Sequence, residues 1–333
     1  MAGLTLVAGA GGFIGGQMVR DFERRGIAVR AVDRKPLEHW YYRSGSAENK
    51  VLDLREKAAC YVAVEGVEQV YNLAADMGGM GFIENNKALC MLSVLINTHL
   101  LMASRDSGAA RFFFASSACV YADYRQRETV NPGLKEADAY PAMPEDGYGW
   151  EKLFSERMCR HFREDFGLIT RIGRYHNVYG PFGTWDGGRE KAPAAISRKV
   201  AMALLSGKHE IEIWGDGEQT RSFMYIDDCL TGTELLMKSD FTEPLNIGSD
   251  EMVSINQLVD IVEDIAGIKL KRAYKLDAPK GVRGRNSDNT LIRKVLGWAP
   301  SIKLRDGMEK TYRWIYDQVK ARAEGRPFVA AYE

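Results

Sequence analysis

Near its N-terminus the chain passes from a short apolar segment, Leu4–Ala8, through a glycine-rich turn into an amphipathic segment, Gln17–Gly26. Within the turn Gly9, Gly12 and Gly15 are three residues apart. This spacing lets the backbone turn sharply, lets a pyrophosphate approach it and lets the following helix pack closely. The pattern is Gly-x-x-Gly-x-x-Gly rather than Gly-x-Gly-x-x-Gly, and alone it also fits an ordinary tight turn. Between a strand and a helix it predicts a dinucleotide site.

Acidic residues follow the glycine turn at informative positions. The second predicted strand, Ile27–Asp33, ends in a carboxylate about twenty residues after the glycines, where it would bind a ribose 2′-hydroxyl and favour NAD. The neighbouring Arg34 could instead meet the 2′-phosphate of NADP. A third predicted strand, Val51–Leu54, places Asp53 either beside the adenine or at a solvated strand end.

The pattern of strand followed by helix continues along the chain. Val67–Ala75 reads as a fourth strand, and the small Ala74 and Ala75 would let a cofactor pass over its carboxyl end. Residues 76–82 are predicted to form a glycine-dense loop. This loop could let a sugar or phosphate approach the backbone closely, or it could be only a flexible connection. Residues 85–107 have helical periodicity and are expected in the core and on a dimer face. The alternation predicts an α/β fold with a Rossmann-type doubly wound parallel sheet.

The chain has 333 residues, of which 45% are hydrophobic, so we expect more than one domain. The composition becomes rich in glycine and proline at residues 182–195. We predict an NAD-binding domain of residues 1–181 plus about 222–249. A smaller C-terminal α/β substrate domain would comprise about 182–221 plus 250–322, and residues 323–333 form a tail without an assigned role.

Charge and cysteine content limit the classes of partner. Lysine plus arginine and aspartate plus glutamate both number 45, so no overall field favours nucleic acid or a membrane surface, and we expect a small ligand. The N-terminus has no basic leader before its apolar run, which predicts a cytoplasmic protein. Five scattered cysteines and five scattered histidines fit neither a disulfide framework nor a metal site.

A serine, a tyrosine and a lysine form the most informative chemical pattern. Ser117 ends an apolar strand, and Tyr148 and Lys152 are four residues apart on a predicted helix, so they share a face. Such a set oxidises an alcohol through the tyrosine. Because free tyrosine has a pKa of about 10, phenolate at pH 7 costs about 4 kcal/mol. A lysine ammonium and a nicotinamide cation would lower this cost, while the serine would hold the sugar hydroxyl in line.

Six strings of residues are more specific than these motifs. They are residues 72–83, 116–121 (Ser-Ser-Ala-Cys-Val-Tyr), 180–195, 214–223 (Trp-Gly-Asp-Gly-Glu-Gln-Thr-Arg-Ser-Phe), 246–254 and 281–289. Together they resemble the extended short-chain dehydrogenase/reductase family of nucleotide-sugar enzymes, and within it the enzymes that invert C3 and C5 of GDP-mannose. The resemblance extends from about Gly9 to Trp314. Residues 39–50 and the tail after about Arg322 do not align clearly with this family, and Trp150 stands where a smaller aliphatic residue is usual.

The resemblance implies a reaction sequence. Oxidation of C4 by tightly bound NAD makes a ketone that acidifies the hydrogens on C3 and C5, one base and one acid invert these centres, and hydride then returns. The products would be GDP-L-galactose and, after inversion at C5 alone, GDP-L-gulose. The resemblance assigns the base and acid to Cys119 and Lys191, and implies a homodimer. Read without it, Cys119 would be a small buried hydrophobe and Lys191 a solvated loop lysine.

The resemblance and the motifs together predict the binding residues. For the cofactor they are Gly9, Gly12, Phe13, Ile14, Gly15, Asp33, Asp53, Leu54, Ala74, Ala75, Tyr148 and Lys152. For the GDP-sugar the resemblance implies Gly78, Ser117, Ala118, Cys119, Asn177, Glu190, Lys191, Ala192, Lys199, Gln219, Thr220, Arg221 and Arg285. An arginine-rich surface loop is the alternative for Arg283 and Arg285.

Two other functions fit this fold. A nucleotide-sugar 4-epimerase needs Tyr148 and Lys152 but has no use for Cys119 and Lys191. A non-catalytic NAD-binding protein needs none of the four. A 4,6-dehydratase would require an acidic pair after Ser117, and Ala118 and Cys119 stand there instead.

Overall fold

Seven parallel strands form the central sheet of the computed structural model, which describes residues 3–279 and 281–329. These strands are β1 (Leu4–Ala8), β2 (Val29–Asp33), β3 (Glu48–Val51), β4 (Val67–Asn72), β5 (Arg111–Ser117), β6 (Ile169–Tyr175) and β11 (Leu245–Ile247). Shorter strands are β7 (Val178–Tyr179), β8 (Glu210–Trp214), β9 (Thr220–Ser222), β10 (Met224–Tyr225), β12 (Met252–Ser254), β13 (Lys271–Lys275) and β14 (Gly284–Arg285).

Helices connect and cover these strands. They are α1 (Phe13–Arg24), α2 (Lys57–Val64), α3 (Met80–Asn85), α4 (Lys87–Met91), α5 (Ser93–Ser107), α6 (Tyr148–Phe166), α7 (Ala192–Ser206), α8 (Ile226–Lys238), α9 (Ile255–Ala266), α10 (Thr290–Leu296) and α11 (Leu304–Ala323). Single 3₁₀ turns occupy Leu37–His39, Ala118–Val120, Asp123–Arg125 and Glu136–Ala139.

The strand order of the large sheet is β11-β6-β5-β4-β1-β2-β3. The chain winds outward from β1 in one direction through β2 and β3, and in the other through β4, β5 and β6. Between β1 and β4 the direction of winding reverses, and in such sheets ligands bind in the crevice beyond the carboxyl ends at this point. The predicted Rossmann-type sheet is therefore confirmed.

Strand β5 shows why the sheet is buried on both faces. Phe112 and Phe114 pack in one apolar cluster with residues of α2, α5 and α6, whereas Phe113 packs in another with residues of α1 and α8. Successive side chains of a strand point to opposite faces, so an uninterrupted apolar run requires helices on both sides.

Residues beyond the large sheet build smaller sheets. The order β12-β9-β14 forms one, and β13 pairs with β8 in another. The apolar cluster that contains Phe113 also contains Ile196 of α7, Val262 of α9 and Ile315 of α11. Side chains from both predicted domains thus share one core, and the predicted domain limits stay a prediction.

The stretch Lys87–Ser107 is long and apolar enough, by length and composition alone, to cross a membrane. In the structure Ile96, Leu100 and Leu101 pack against residues of α2 and α6 in the core. A core helix of a water-soluble fold meets the same criteria, and the packing of α5 is of that kind.

Four local predictions were wrong in their limits. Strand β4 ends at Asn72 rather than Ala75, so Ala74 and Ala75 lie in the segment after it. Helix α1 begins at Phe13 rather than Gln17, directly after the glycine turn. Strand β3 ends at Val51, because Asp53 accepts a hydrogen bond from the backbone N–H of Arg55 and so forms a turn. The glycine-dense segment is not wholly a loop, since α3 begins at Met80.

Candidate active site

Two adjoining cavities lie at the carboxyl edge of the large sheet. The first has a volume of about 240 Å³ and is lined by the glycine turn and by the segments that follow β2 and β4. The second has a volume of about 260 Å³ and is lined by the end of β5, the start of α6 and the segments around α7 and β9. Met77 and Lys191 line both, so the cavities meet at these two side chains.

The glycine turn of the first cavity has no room for a side chain at Gly9 or Gly15. Gly9 has a φ of +86°, which disfavours other residues, and a Cβ on Gly15 would lie 2.2 Å from the carbonyl oxygen of Gly9. The turn therefore presents bare backbone in front of the N-terminus of α1, as a pyrophosphate requires. These observations fit a dinucleotide at this cavity.

Acidic side chains at the first cavity differ in their environment. Asp33 accepts hydrogen bonds from the backbone N–H of Gly11 (3.1 Å) and of Lys35 (3.0 Å), which fix its carboxylate at the end of β2. The guanidinium of Arg34, the candidate for an NADP phosphate, pairs with Asp76 at 2.7 Å. This ion pair supports the NAD alternative.

Asp53 does line the first cavity, but from the loop after β3, and its carboxylate pairs with Arg55. The predicted cofactor residues that line this cavity are Gly9, Gly12, Phe13, Ile14, Gly15, Asp33, Asp53, Leu54, Ala74 and Ala75. Tyr148 lines the second cavity instead, and Lys152 lines neither.

The start of α6 brings Tyr148 to Ser117. Gly147 precedes the helix with a φ of +118°, and a Cβ on Gly149 would lie 2.4 Å from the carbonyl oxygen of Cys119. These two glycines therefore let the helix begin directly against the end of β5. The sequence contained this signal, in Gly-Tyr-Gly, but its role becomes visible only from the close approach.

Burial raises the pKa of Tyr148 well above its usual value, Cys119 and Glu151 act in the same direction, and a hydrogen bond with Ser117 lowers it. That Lys152 and a nicotinamide cation together lower the pKa of Tyr148 stays a prediction. Lys152 is 3% exposed, and its Nζ lies 5.5 Å from the Tyr148 ring centroid and 3.6 Å from the Glu151 carboxylate. Sequence reasoning missed Glu151, whose own pKa burial raises.

Cys119 is buried but faces the second cavity, in the 3₁₀ turn after β5. The Nη1 of Arg285 donates a hydrogen bond to its sulfur at 3.3 Å. The same guanidinium donates through Nε to the side-chain oxygen of Gln126 at 2.6 Å. Arg285 is itself buried, so it does not belong to an arginine-rich surface loop. Gln126 was absent from the sequence prediction.

Lys191 stands at the N-terminus of α7 and faces both cavities. Desolvation lowers the pKa of its ammonium, Cys119 opposes this effect and Arg285 adds to it. The glycine-dense segment lets this loop come close: the N–H of Gly79 donates to the carbonyl of Arg189 at 3.0 Å, and a Cβ there would lie 2.5 Å from the carbonyl oxygen of Glu190. Gly79 thus has a packing role, which neither interpretation of that segment included.

The second cavity brings together most of the predicted sugar-nucleotide residues. They are Gly78, Ser117, Ala118, Cys119, Asn177, Glu190, Lys191, Ala192, Lys199, Gln219, Arg221 and Arg285. Thr220 does not line it, because alternate residues of β9 point to opposite sides and its hydroxyl donates to the carbonyl of Thr129. Desolvation, followed by the nearby Arg285, lowers the pKa of Arg221 to about 9. Trp214 and Arg198 also line the cavity and were not predicted.

Across residues 3–279 and 281–329, no group of three or more histidine, cysteine, aspartate and glutamate side chains could hold a metal ion.

Comparison with known proteins completes the description of the site. Residues 5–248 match the model of the NAD dependent epimerase/dehydratase family. The chain is 50% identical over 321 residues to GDP-mannose 3,5-epimerase of Arabidopsis thaliana, covering 96% of this chain and 84% of that one. Among solved structures it is similar to UDP-glucose 4-epimerase with UDP-glucose from Thermotoga maritima, with 26% identity, a TM-score of 0.83 and coverage of 94% and 99% of the two chains. It is also similar to MoeE5 in complex with UDP-glucose and NAD, with 28% identity, a TM-score of 0.77 and coverage of 96% and 99%.

Proposed function

The chain belongs to the NAD dependent epimerase/dehydratase family, and we propose that it uses NAD to convert GDP-D-mannose to GDP-L-galactose by inversion at C3 and C5. Inversion at C5 alone would give GDP-L-gulose. The observation that carries this proposal is that Cys119 and Lys191 line the cavity that Tyr148 and Ser117 also line. An oxidising pair and an acid–base pair thus share one sugar-sized space.

The first step is oxidation of the C4 alcohol. Bound NAD supplies the hydride acceptor and later the hydride donor. Ser117 holds the hydroxyl in line, and Tyr148 accepts its proton. Since burial raises the pKa of Tyr148, the cationic nicotinamide ring and the Lys152 ammonium would have to lower the cost of forming the phenolate.

The second step is proton exchange next to the ketone. A thiolate at Cys119 would take the carbon-bound proton, and the ammonium of Lys191 would give a proton to the opposite face of the ring. The Arg285 guanidinium donates a hydrogen bond to this sulfur and so holds it at the cavity. The desolvated Lys191 gives up its proton more readily than an exposed lysine.

Basic side chains provide a place for the diphosphate. Lys199, Arg221 and Arg285 line the second cavity, and guanidinium groups bind phosphate oxygens through paired hydrogen bonds. The proposal that the substrate is a GDP-hexose rests on these cationic side chains and on the 50% sequence identity to the Arabidopsis enzyme.

The alternatives explain less of the site. A 4-epimerase reaction leaves C3 and C5 untouched and would give Cys119 and Lys191 no task. A non-catalytic NAD-binding protein would give no task to Tyr148 either. The presence of these three side chains and Ser117 around one cavity favours the 3,5-epimerase.

We also infer a homodimer through α4, α5 and α6. Met91 of α4, Leu92 between α4 and α5, and Leu95 of α5 are exposed. Trp150 and Phe154 of α6 are exposed as well. Large apolar side chains that cluster on neighbouring helices usually mark an interface.

A cytoplasmic location also remains a proposal, with which the five free, buried cysteines agree.

Incubation of GDP-mannose with the protein in heavy water tests the reaction. Deuterium should appear at C3 and C5, because each inversion replaces a carbon-bound hydrogen with one from solvent. Deuterium at C5 alone would restrict the product to the gulose, and no deuterium at either carbon would contradict the proposal.

A further inference from the structure

The C-terminal segment that follows α11 contacts the loop that ends at Lys191. Trp185 of this loop is 0% exposed, and its indole N–H donates to the carbonyl of Val329 at 3.1 Å. Its ring meets that of Phe328 edge-on, with centroids 6.2 Å apart. The guanidinium of Arg322 lies 4.7 Å from the Trp185 ring centroid. Two residues of the segment, Phe328 and Val329, and Arg322 at the end of α11 therefore surround the side chain of Trp185.

The segment is itself anchored to the last helix. The N–H of Val329 donates a hydrogen bond to the side-chain oxygen of Gln318, a residue of α11, at 2.8 Å. Arg322 lies on α11 and pairs through Nη1 with Asp186, the loop residue after Trp185, at 2.7 Å. We call Arg322, Phe328 and Val329 the C-terminal clamp, because they hold Trp185 and Asp186 against a fixed helix.

A chain of polar contacts continues from the clamped residues to the catalytic end of the loop. Arg198 of α7 donates through Nε to the carbonyl of Trp185 at 3.0 Å and lies 3.4 Å from the Asp186 carboxylate. Its Nη2 pairs with Glu190 at 2.8 Å. Glu190 directly precedes Lys191. The clamp, Arg198 and Glu190 therefore fix the backbone from which Lys191 reaches the cavity.

We propose that the C-terminal clamp positions Lys191 for proton transfer, and that Trp185 and Arg322 are positioning residues of this enzyme. The inference rests on the proposed function only in giving Lys191 a proton to transfer. Neither residue touches the cavities around Tyr148 and Cys119. Gly183 and Thr184 of the same loop line the first cavity, where the cofactor would bind. The clamp should therefore affect the acid–base step more strongly than the oxidation of C4.

Arg322→Ala tests this in the full chain with its bound NAD. Deuterium incorporation at C5 and C3 of GDP-mannose should fall about 10- to 100-fold, the range for a misplaced catalytic group. Transient reduction of the bound NAD, measured by nicotinamide absorbance, should fall by a smaller factor. Arg313→Ala is the matched control, since Arg313 lies on the same helix, is exposed and pairs with Glu309 of that helix. It should change neither measurement.

A readout without substrate separates this inference from the proposed function. Backbone hydrogen exchange of residues 182–191 should become faster in Arg322→Ala than in wild type or Arg313→Ala. Should Arg322→Ala fold poorly, Trp185→Phe removes the N–H to Val329 and keeps an aromatic ring, and the same acceleration is expected. Unchanged exchange in this loop, or an equal loss of NAD reduction and deuterium incorporation, would overturn the role of the clamp.

A wild-type protein that shows neither reaction with GDP-mannose would refute the proposed function. The backbone hydrogen exchange would still decide whether the clamp holds the loop.

Discussion

The guanidinium of Arg285 donates a hydrogen bond to the sulfur of Cys119 across 3.3 Å, from a residue 166 positions further along the chain. The thiolate is the proton-accepting form of cysteine, and this contact places a cation beside the sulfur that would carry the charge. If Cys119 is the base, as we propose, Arg285 would support the acid–base step in addition to its proposed role with the diphosphate. The first prediction tests the sulfur itself.

Cys119→Ala should abolish deuterium incorporation at C3 and C5 and still allow transient reduction of bound NAD by GDP-mannose. The substitution removes the base and leaves Ser117, Tyr148 and Lys152 in place. Mass spectrometry of recovered GDP-hexose and nicotinamide absorbance measure the two steps separately. Normal deuterium incorporation by this variant would remove Cys119 from the mechanism.

Gln126 should matter because it holds Arg285 in place. Its side-chain oxygen accepts from Arg285, and its amide group donates to the carbonyl of Tyr121 at 3.1 Å, so its orientation is set. Gln126→Leu leaves a buried guanidinium N–H without this acceptor and should lower the free energy of unfolding by about 1 to 3 kcal/mol. Urea unfolding measures this loss.

The activity of the same variant gives an independent check. Deuterium incorporation by Gln126→Leu should fall more than the rate of NAD reduction, because Arg285 contacts Cys119 and not Tyr148. Gln126→Glu keeps an acceptor for the guanidinium and should retain more of the exchange activity. Equal behaviour of the two variants would argue against a role for Gln126 in holding Arg285.

How much of this site can be predicted from the sequence depends on how far apart along the chain the interacting residues lie. The glycine turn, Asp33 and the Tyr148–Lys152 pair lie within single turns or strand ends, where local spacing determines geometry. The resemblance to a family located Cys119 and Lys191. Gln126, Glu151 and Trp185 were missed because their roles depend on partners distant in sequence or on burial, and no local pattern distinguishes a buried glutamine from a solvated one.

Other errors of the sequence interpretation have local physical causes. Thr220 follows Gln219, which lines the second cavity, but strand alternation turns Thr220 away from that cavity. Asp53 is close to the cofactor cavity as predicted, yet its bond to the Arg55 N–H ends the strand before it. No role could be predicted for the C-terminal tail from the sequence. Neither segment contains a local pattern that indicates the contact between Trp185 and Val329.

Gly149 should be intolerant of alanine. Its Cβ would lie 2.4 Å from the carbonyl oxygen of Cys119, so α6 would have to move away from β5. We expect a loss of about 1 to 3 kcal/mol in unfolding free energy, the usual cost of overpacking, together with slower NAD reduction because Tyr148 begins this helix. Gly45→Ala is the control, as no atom lies within 4 Å of its Cβ position. Equal stability of the two variants would contradict the proposed close approach.

The cofactor that copurifies with the protein should be NAD or NADH. Asp33 stands where a ribose 2′-hydroxyl would bind, and a 2′-phosphate there would meet its negative charge. Heat release followed by chromatography identifies the nucleotide. Asp33→Ala should weaken NAD retention, and recovery of NADP from wild type would contradict the assignment.

The pH dependence of the exchange reaction should reveal Lys191. Desolvation lowers its pKa, so the ammonium loses its proton at a pH below the ordinary lysine value of 10.5. A proton donor is active only while protonated; deuterium incorporation should therefore decline on the alkaline side before an exposed lysine would titrate. NAD reduction does not use this proton and should not follow the same decline. The two rates, measured across a pH series on one preparation, give the comparison. A parallel decline of both would place the titrating group in the oxidation step and remove Lys191 from the explanation.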